Sequence, residues 1–258
     1  MNEHIVKEEN IVYQRTKALL DANFHYCPGC GHGTVHKVLM EVVEEMGIED
    51  RTIGVAPVGC SVFAYHYMNV DMQQAPHGRA CAIASGIKRV LPDRLVFTYQ
   101  GDGDLAAIGT AETIHAANRG DNILAVFINN GIYGMTNGQM APTTLPGMKA
   151  STCPYGRDVA TMGHPLVMSN LMKEMPGVVY ITRHSVHKVG NVRKLKKAFK
   201  QAFEYQQQGL GFCMVEVVTN CPSNMKISAL ASNEFVEKEM LPFYPLGDIK
   251  VPNQQEGK

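Results

Sequence analysis

Residues 96–130 read VFTYQGDGDLAAIGTAETIHAANRGDNILAVFINN, and this stretch decides the fold class. Val96 to Gln100 is a short run of β-branched and aromatic residues, Leu105 to Asn118 is rich in Ala, Ile and Glu, and Ile123 to Ile128 is a second short apolar run. Strand, helix, strand is the repeating unit of a parallel sheet, whose strands are buried on both faces and so lack polar alternation. Similar runs stand at Ile53 to Val58 (IGVAPV), Val178 to Thr182 (VVYIT) and Phe212 to Val218 (FCMVEVV). Val35, Val38, Leu39, Val42, Val43 and Met46 recur at helical spacing before the first of them. The pattern predicts an α/β domain: a doubly wound, mostly parallel sheet with helices on both faces.

Outward from that core, residues 1–24 read as an N-terminal extension, 25–240 as the α/β domain, and 241–258 as a weakly structured tail. Gly134 to Gly156, bearing Gly, Pro and Thr, reads as one long loop, and a loop of that length in a compact domain is usually functional. The 258 residues carry 24 Lys plus Arg against 24 Asp plus Glu, so no net field draws the surface to nucleic acid or an anionic membrane. MNEHIVKEEN has acidic residues where a secretory signal needs an apolar run, and no stretch approaches the roughly 20 apolar residues of a membrane span. A cytoplasmic protein is expected. In that compartment the seven cysteines stay reduced and divide between packing and metal or redox work.

Ligands of open parallel sheets bind beyond the carboxyl ends of the strands. Four such ends carry unusual residues: Gly59-Cys60-Ser61, Gly101-Asp102-Gly103-Asp104, Asn129-Asn130-Gly131 and Thr219-Asn220-Cys221-Pro222. A glycine-rich turn from strand to helix normally receives phosphate on backbone N–H groups, but two aspartates there repel it. A divalent cation between carboxylate and phosphate removes the conflict, and Asp102 with the amide oxygen of Asn130 offers hard oxygen ligands suited to Mg²⁺. Taken one at a time, the two motifs read more simply as a helix cap and a turn.

Cys27-Pro-Gly-Cys30 suits half a zinc knuckle, a thioredoxin-like redox pair or half an iron-sulfur site, and alone it does not decide. Cys60 and Cys221 stand singly at two strand ends, whereas Cys81 and Cys213 sit in apolar runs as small core residues. Cys153 in the long loop has no assigned role.

Gly-Asp-Gly and Asn-Asn separated by twenty-five residues resemble the signature of thiamine-diphosphate enzymes. The likeness extends in order through HYCPGCGHG, PVGCS, HGRA, TYQGDGDLAAIGTAETIHAANRG, NNGIYGMTNGQMAPTT and TNCPSN, over roughly residues 25–245. Together these resemble the β subunit of 2-oxoacid:ferredoxin oxidoreductases, in particular the branched-chain 2-ketoisovalerate type. That resemblance implies Mg²⁺ on Asp102, Asn130 and the carbonyl of Ile132. It also implies thiamine diphosphate against Val58, Gly59, Cys60, Ser61, His77, Gly103, Asp104, Gly134 and Met135, and a 4Fe-4S cluster on Cys27, Cys30, Cys60 and Cys221. The implied reaction is coenzyme A-dependent oxidative decarboxylation of a 2-oxoacid, with electrons leaving through the cluster to ferredoxin.

The resemblance further implies an α subunit that carries the pyrimidine-binding domain and its activating glutamate, a γ subunit, and a ferredoxin-like δ subunit or ferredoxin. No catalytic acid or base is assigned to this chain, which by itself should be inactive. Relatives that accept a second carboxylate tend to carry lysines near the cysteine-serine turn and in the IYG loop, where this chain has Phe63 and Asn137, with Met135 and Met140 nearby. An apolar acyl group is therefore expected, with 2-oxoglutarate or pyruvate as alternatives. Lys188, Arg193, Lys194, Lys196, Lys197 and Lys200 form a basic helix face that reads first as solvated surface. Two other readings compete: a non-redox thiamine-dependent enzyme, which leaves the cysteines idle, and a zinc-stabilised scaffold without the cofactor.

Overall fold

All five apolar runs become strands of one sheet, each shielded on both faces. A computed structural model describes residues 7–252. Helix α1 (His32–Glu45) precedes β1 (Thr52–Ala56), β2 (Asp71–Gln74), α2 (Ala80–Val90), β3 (Leu95–Gly101), α3 (Thr110–Arg119) and β4 (Leu124–Asn129). A short hairpin, β5 (Ile132–Tyr133) and β6 (Gln139–Met140), opens the long loop, which leads through α4 (Val159–Met162) and α5 (Met168–Met172). Then come β7 (Val178–Ser185), α6 (Val189–Gln207), β8 (Phe212–Val218), α7 (Pro222–Met225), α8 (Ala229–Phe235), α9 (Leu241–Phe243) and β9 (Gly247–Lys250).

The strands lie in the order β2-β1-β3-β4-β8-β7-β9. All neighbours are parallel except β9, which runs antiparallel to β7. From β1 the chain first builds outward to β2 and then returns to add β3 on the other side. The carboxyl ends of β1 and β3 therefore flank a topological switch point, the crevice where such sheets take ligands.

Helices α1 and α6 cover one face and α2, α3 and α5 the other, each over its own apolar core. Phe203 of α6 meets Phe97 of β3 edge to face at 6.4 Å between ring centres, both fully buried. Burial of each such ring contributes about 2 to 3 kcal/mol. Two of the six basic side chains of α6 and its start do more than face water, since Lys196 bridges Glu41 and Glu45 of α1 and Lys188 pairs with Glu237.

The sequence reading missed both edge strands. Asp71–Gln74 is mostly exposed and polar, so it lacks the apolar run that marks an interior strand. Residues 241–250, expected to be weakly structured, instead form α9 and β9; Tyr244 is fully buried and Thr182 of β7 aligns with Asp248. The remainder of that tail, residues 253–258, lies outside the described residues. Ala18 and Leu19 of the N-terminal segment also pack into the first core.

Candidate active site

At the switch point a cavity of about 170 Å³ opens between four segments. Val58, Gly59 and Cys60 arrive from β1, His77 from the turn between β2 and α2, Gly101 to Asp104 from β3, and Asn130 with Ile132 to Thr136 from β4 and the hairpin. Gly59 has φ of +136°, backbone that an L side chain strains to adopt, and this turn brings Cys60 to the cavity wall. Directly after Gly103 the chain makes one π-helical turn, Asp104 to Ile108, before α3 starts. Single turns of this kind recur at functional sites.

The two aspartates of the turn have different fates. Asp104 is buried, and its carboxylate accepts four hydrogen bonds: from His77 Nδ1 at 2.6 Å, Gly78 N at 2.9 Å, Val58 N at 3.3 Å and Gln100 Nε2 at 2.6 Å. It ties three segments together and has little capacity left for a ligand. Asp102 is also buried, and accepts from its neighbour Gly103 N at 2.8 Å and from Thr143 Oγ1 at 2.7 Å. Burial pushes its pKa up to about 6, partly offset by those bonds and by the backbone N–H groups of Gly131 and Ile132. No lysine or arginine lines the cavity to compensate the charge. Asn130 Oδ1, which accepts from Ile132 N at 3.1 Å, keeps a second lone pair. An uncompensated carboxylate beside an amide oxygen fits a hard divalent cation.

Two of the cysteines meet at the hairpin. A Cβ added at Gly134 would lie 2.9 Å from Cys60 Sγ and 3.5 Å from Cys221 Sγ, so these two sulfurs flank one point although 161 residues separate them in sequence. Burial first, and then Cys221, Cys30, Cys27 and Asp102, push the Cys60 thiol up to about 12. Burial likewise lifts Cys30 to about 11, with Cys221 and Cys27 adding to it. The Cys27–Cys30 turn is held by Asn220, which donates to Gly29 O at 2.9 Å, and by Tyr26, whose ring stacks on His32 at 4.6 Å. Tyr26 also hydrogen-bonds His36 Nε2 at 2.9 Å; burial drives the pKa of both histidines down, that of His32 to about 3, so they pack as neutral rings. Among the described residues, no three His, Cys, Asp or Glu side chains converge on a point as a single metal ion demands. Cys81 and Cys213 are fully buried, and so is Cys153, which donates weakly to Met148 O at 3.7 Å.

Residues 57–217 match the thiamine pyrophosphate enzyme, C-terminal TPP binding domain. The 2-oxoglutarate synthase subunit KorB of Archaeoglobus fulgidus is 36% identical over 86% of this chain and 78% of its own length. The ketoisovalerate oxidoreductase subunit VorA of Methanothermobacter thermautotrophicus is 44% identical over 93% of the chain, which spans only 50% of that relative's length. Among solved structures, the 2-oxoglutarate:ferredoxin oxidoreductase from Magnetococcus marinus, with 2-oxoglutarate, coenzyme A and succinyl-CoA bound, superimposes with a TM-score of 0.75 at 25% identity, covering 91% of this chain and 83% of that one. The chain belongs to the 2-oxoacid oxidoreductase subunits of the thiamine pyrophosphate enzyme family.

As a member of that family, the chain brings all but one of its expected cofactor and cation residues to one cavity. The exception is Ser61, which is buried and donates to Tyr99 O at 3.3 Å. Phe63 and Asn137, expected near the acyl pocket, do not line the cavity either. Phe63 packs on His25 and His66, and Asn137, at φ of +82°, turns the hairpin tip toward a separate surface basin with Lys149 and Lys226. The apolar lining comes instead from Val58, Ile132, Tyr133 and Met135. Sequence reasoning missed Gln100, Tyr133, Thr136 and Thr143. Gln100 and Thr143 lie inside the motif stretches, but only the fold shows that they hold Asp104 and Asp102.

Gly134 gives a direct test of the shared wall. Gly134→Ala is expected to leave a folded protein, because its φ is not in the left-handed region, yet to crowd Cys60 and Cys221. On the cluster that the resemblance implies, iron content and the visible absorption of anaerobically prepared protein should fall by half or more. Full iron occupancy would show that the two thiols are not held against the hairpin.

Proposed function

We propose that this chain is the thiamine-diphosphate- and iron-sulfur-binding subunit of a coenzyme A-dependent 2-oxoacid:ferredoxin oxidoreductase, acting on branched-chain 2-oxoacids. The observation that carries the reading is the wall built by residues 132–136: the cavity it lines holds the buried carboxylate of Asp102 with no lysine or arginine beside it, and Gly134 of the same segment sits against the sulfurs of Cys60 and Cys221. Asp102, Asn130 and the Ile132 carbonyl would hold Mg²⁺, and through it the diphosphate. His77 has Nδ1 engaged by Asp104, so Nε2 is the nitrogen left for a diphosphate oxygen. Thiamine diphosphate, when bound, supplies a carbanion nucleophile and an electron sink for decarboxylation. Cys27, Cys30, Cys60 and Cys221 would carry the cluster, and because Cys60 lines the cavity, electrons have a short exit.

The partners are proposed with the same reading: an α subunit with the pyrimidine-binding domain, a γ subunit, and a ferredoxin-like δ subunit or ferredoxin. No helix among the described residues is long and apolar enough to cross a membrane. A cytoplasmic location fits the reduced thiols that the cluster requires.

The absence of a cation from the cavity lining supports an apolar acyl chain. A distal carboxylate buried there unpaired would cost several kcal/mol, so 2-ketoisovalerate should exceed 2-oxoglutarate in kcat/KM by at least about a hundredfold. The assay uses the assembled complex with coenzyme A and a ferredoxin acceptor. Equal turnover of both acids would show that the partner subunit supplies the missing cation, and the substrate reading from this chain would fail.

A further inference from the structure

Both side chains proposed as cation ligands lead back to one buried polar network that includes the C-terminal segment. From Asp102, Oδ2 accepts from Thr143 Oγ1 at 2.7 Å, and the carbonyl of Thr143 accepts from Tyr244 Oη at 2.7 Å. The Tyr244 ring lies under the guanidinium of Arg183, 5.4 Å from its centre, and Arg183 Nη1 donates to Pro245 O at 3.1 Å. Arg183 Nε pairs with Glu216 Oε2 at 2.8 Å, Ser169 Oγ also donates to that oxygen, and Glu216 Oε1 accepts from Asn129 Nδ2 at 2.8 Å. Asn129 is the residue immediately before Asn130. The path closes with Asp102 at one end and Asn130 at the other.

Every side chain that links this path is buried: Thr143, Asn129, Ser169 and Tyr244 completely, Glu216 to 1% exposure and Arg183 to 2%. Such a set is expensive to assemble, and replacing a buried ion pair by apolar side chains is often neutral or stabilising, so its presence calls for a role other than stability. Groups one bond beyond a metal's ligands fix ligand orientation and commonly alter affinity tenfold or more. Burial first, and Glu216 second, raise the pKa of Tyr244, so its hydroxyl remains a donor to the Thr143 carbonyl.

We propose that Thr143 and Tyr244 are positioning residues for the divalent cation, and that the strap of residues 241–250 is a working part of the cofactor site. Thr143 orients the Asp102 carboxylate; Tyr244 fixes Thr143 and is itself seated by Arg183 and Glu216. This rests on the reading of Asp102 and Asn130 as cation ligands, and the experiment separates the two.

The test titrates Mn²⁺, as a spectroscopic stand-in for Mg²⁺, into the assembled complex stripped of cation, with thiamine diphosphate present. Thr143→Val should weaken Mn²⁺ binding about 10- to 100-fold, and Tyr244→Phe, one step further away, about 3- to 10-fold. Thr143→Ser keeps the hydroxyl and should bind within about twofold of wild type. Wild-type protein that takes up no cation would sink the ligand reading itself. Wild-type affinity in Thr143→Val and Tyr244→Phe, with only their melting temperatures lowered, would overturn the positioning role and leave the ligand reading standing. If Thr143→Val fails to fold, Tyr244→Phe, which keeps ring and packing, carries the decision alone.

Discussion

Asp102→Asn is expected to lose Mg²⁺ and thiamine diphosphate together and to lower turnover by at least about a thousandfold, near 4 kcal/mol, while the cofactor-free chain becomes more stable. The two effects have opposite sign because the carboxylate is costly without its cation. It is 3% exposed, and burial is the largest cause of its pKa rising from 3.8 to about 6. A carboxyl whose folded pKa lies above its unfolded value contributes nothing adverse below the unfolded pKa, and stability is lost as pH rises through the folded one. The window therefore runs from about pH 4 to pH 6, and above it the apo chain carries a penalty of about 2 to 3 kcal/mol. Asparagine removes that charge and retains a carbonyl acceptor for Gly103 N or Thr143 Oγ1.

Thermal melts of cofactor-free protein check the first half: the variant should melt above wild type at pH 8, with the difference shrinking toward zero by pH 4. Retained-cofactor analysis checks the second. A variant that still holds thiamine diphosphate would refute the cation bridge.

The interior of the sheet was legible because strands buried on both faces are nearly continuous apolar runs, as Leu124 to Ile128 is and as Phe212 to Val218 is apart from Glu216. The edges were not. Asp71–Gln74 pairs on one side only and needs no apolar signal, and Gly247–Lys250 is held through Tyr244 and Pro245, contacts that no local pattern encodes. In the site, the charge conflict at Asp102 was legible, since two aspartates in a phosphate-type turn require a cation. That Asp104 is spent on four hydrogen bonds was not, because its donors come from Val58, His77, Gly78 and Gln100 on three segments. Phe63 and Asn137 show the opposite failure: proximity in sequence to motif residues put them in the pocket, and a turn of backbone at each place carries them away from it.

Serine in place of Cys27, Cys30, Cys60 or Cys221 is expected to remove the iron-sulfur cluster, and with it ferredoxin reduction, in each single variant. The thiols of Cys30 and Cys60 are held protonated by burial and by their neighbours, at about 11 and 12. A thiolate at these buried positions needs a compensating cation, so binding of iron and loss of the thiol protons are coupled. Serine, a far weaker acid, does not ionise there, and three remaining thiolates leave one iron without its protein ligand. Cys81→Ser and Cys213→Ser provide the contrast. Both side chains are fully buried, Cys81 donating to Gln100 Oε1 at 3.3 Å and Cys213 facing the first core, so serine there lowers stability by about 1 to 3 kcal/mol but leaves iron content unchanged. Iron, acid-labile sulfide and the visible spectrum of anaerobically prepared complex measure the outcome. One zinc per chain and no iron in the wild-type protein, or full iron in Cys60→Ser, would overturn the cluster and the electron route that depends on it.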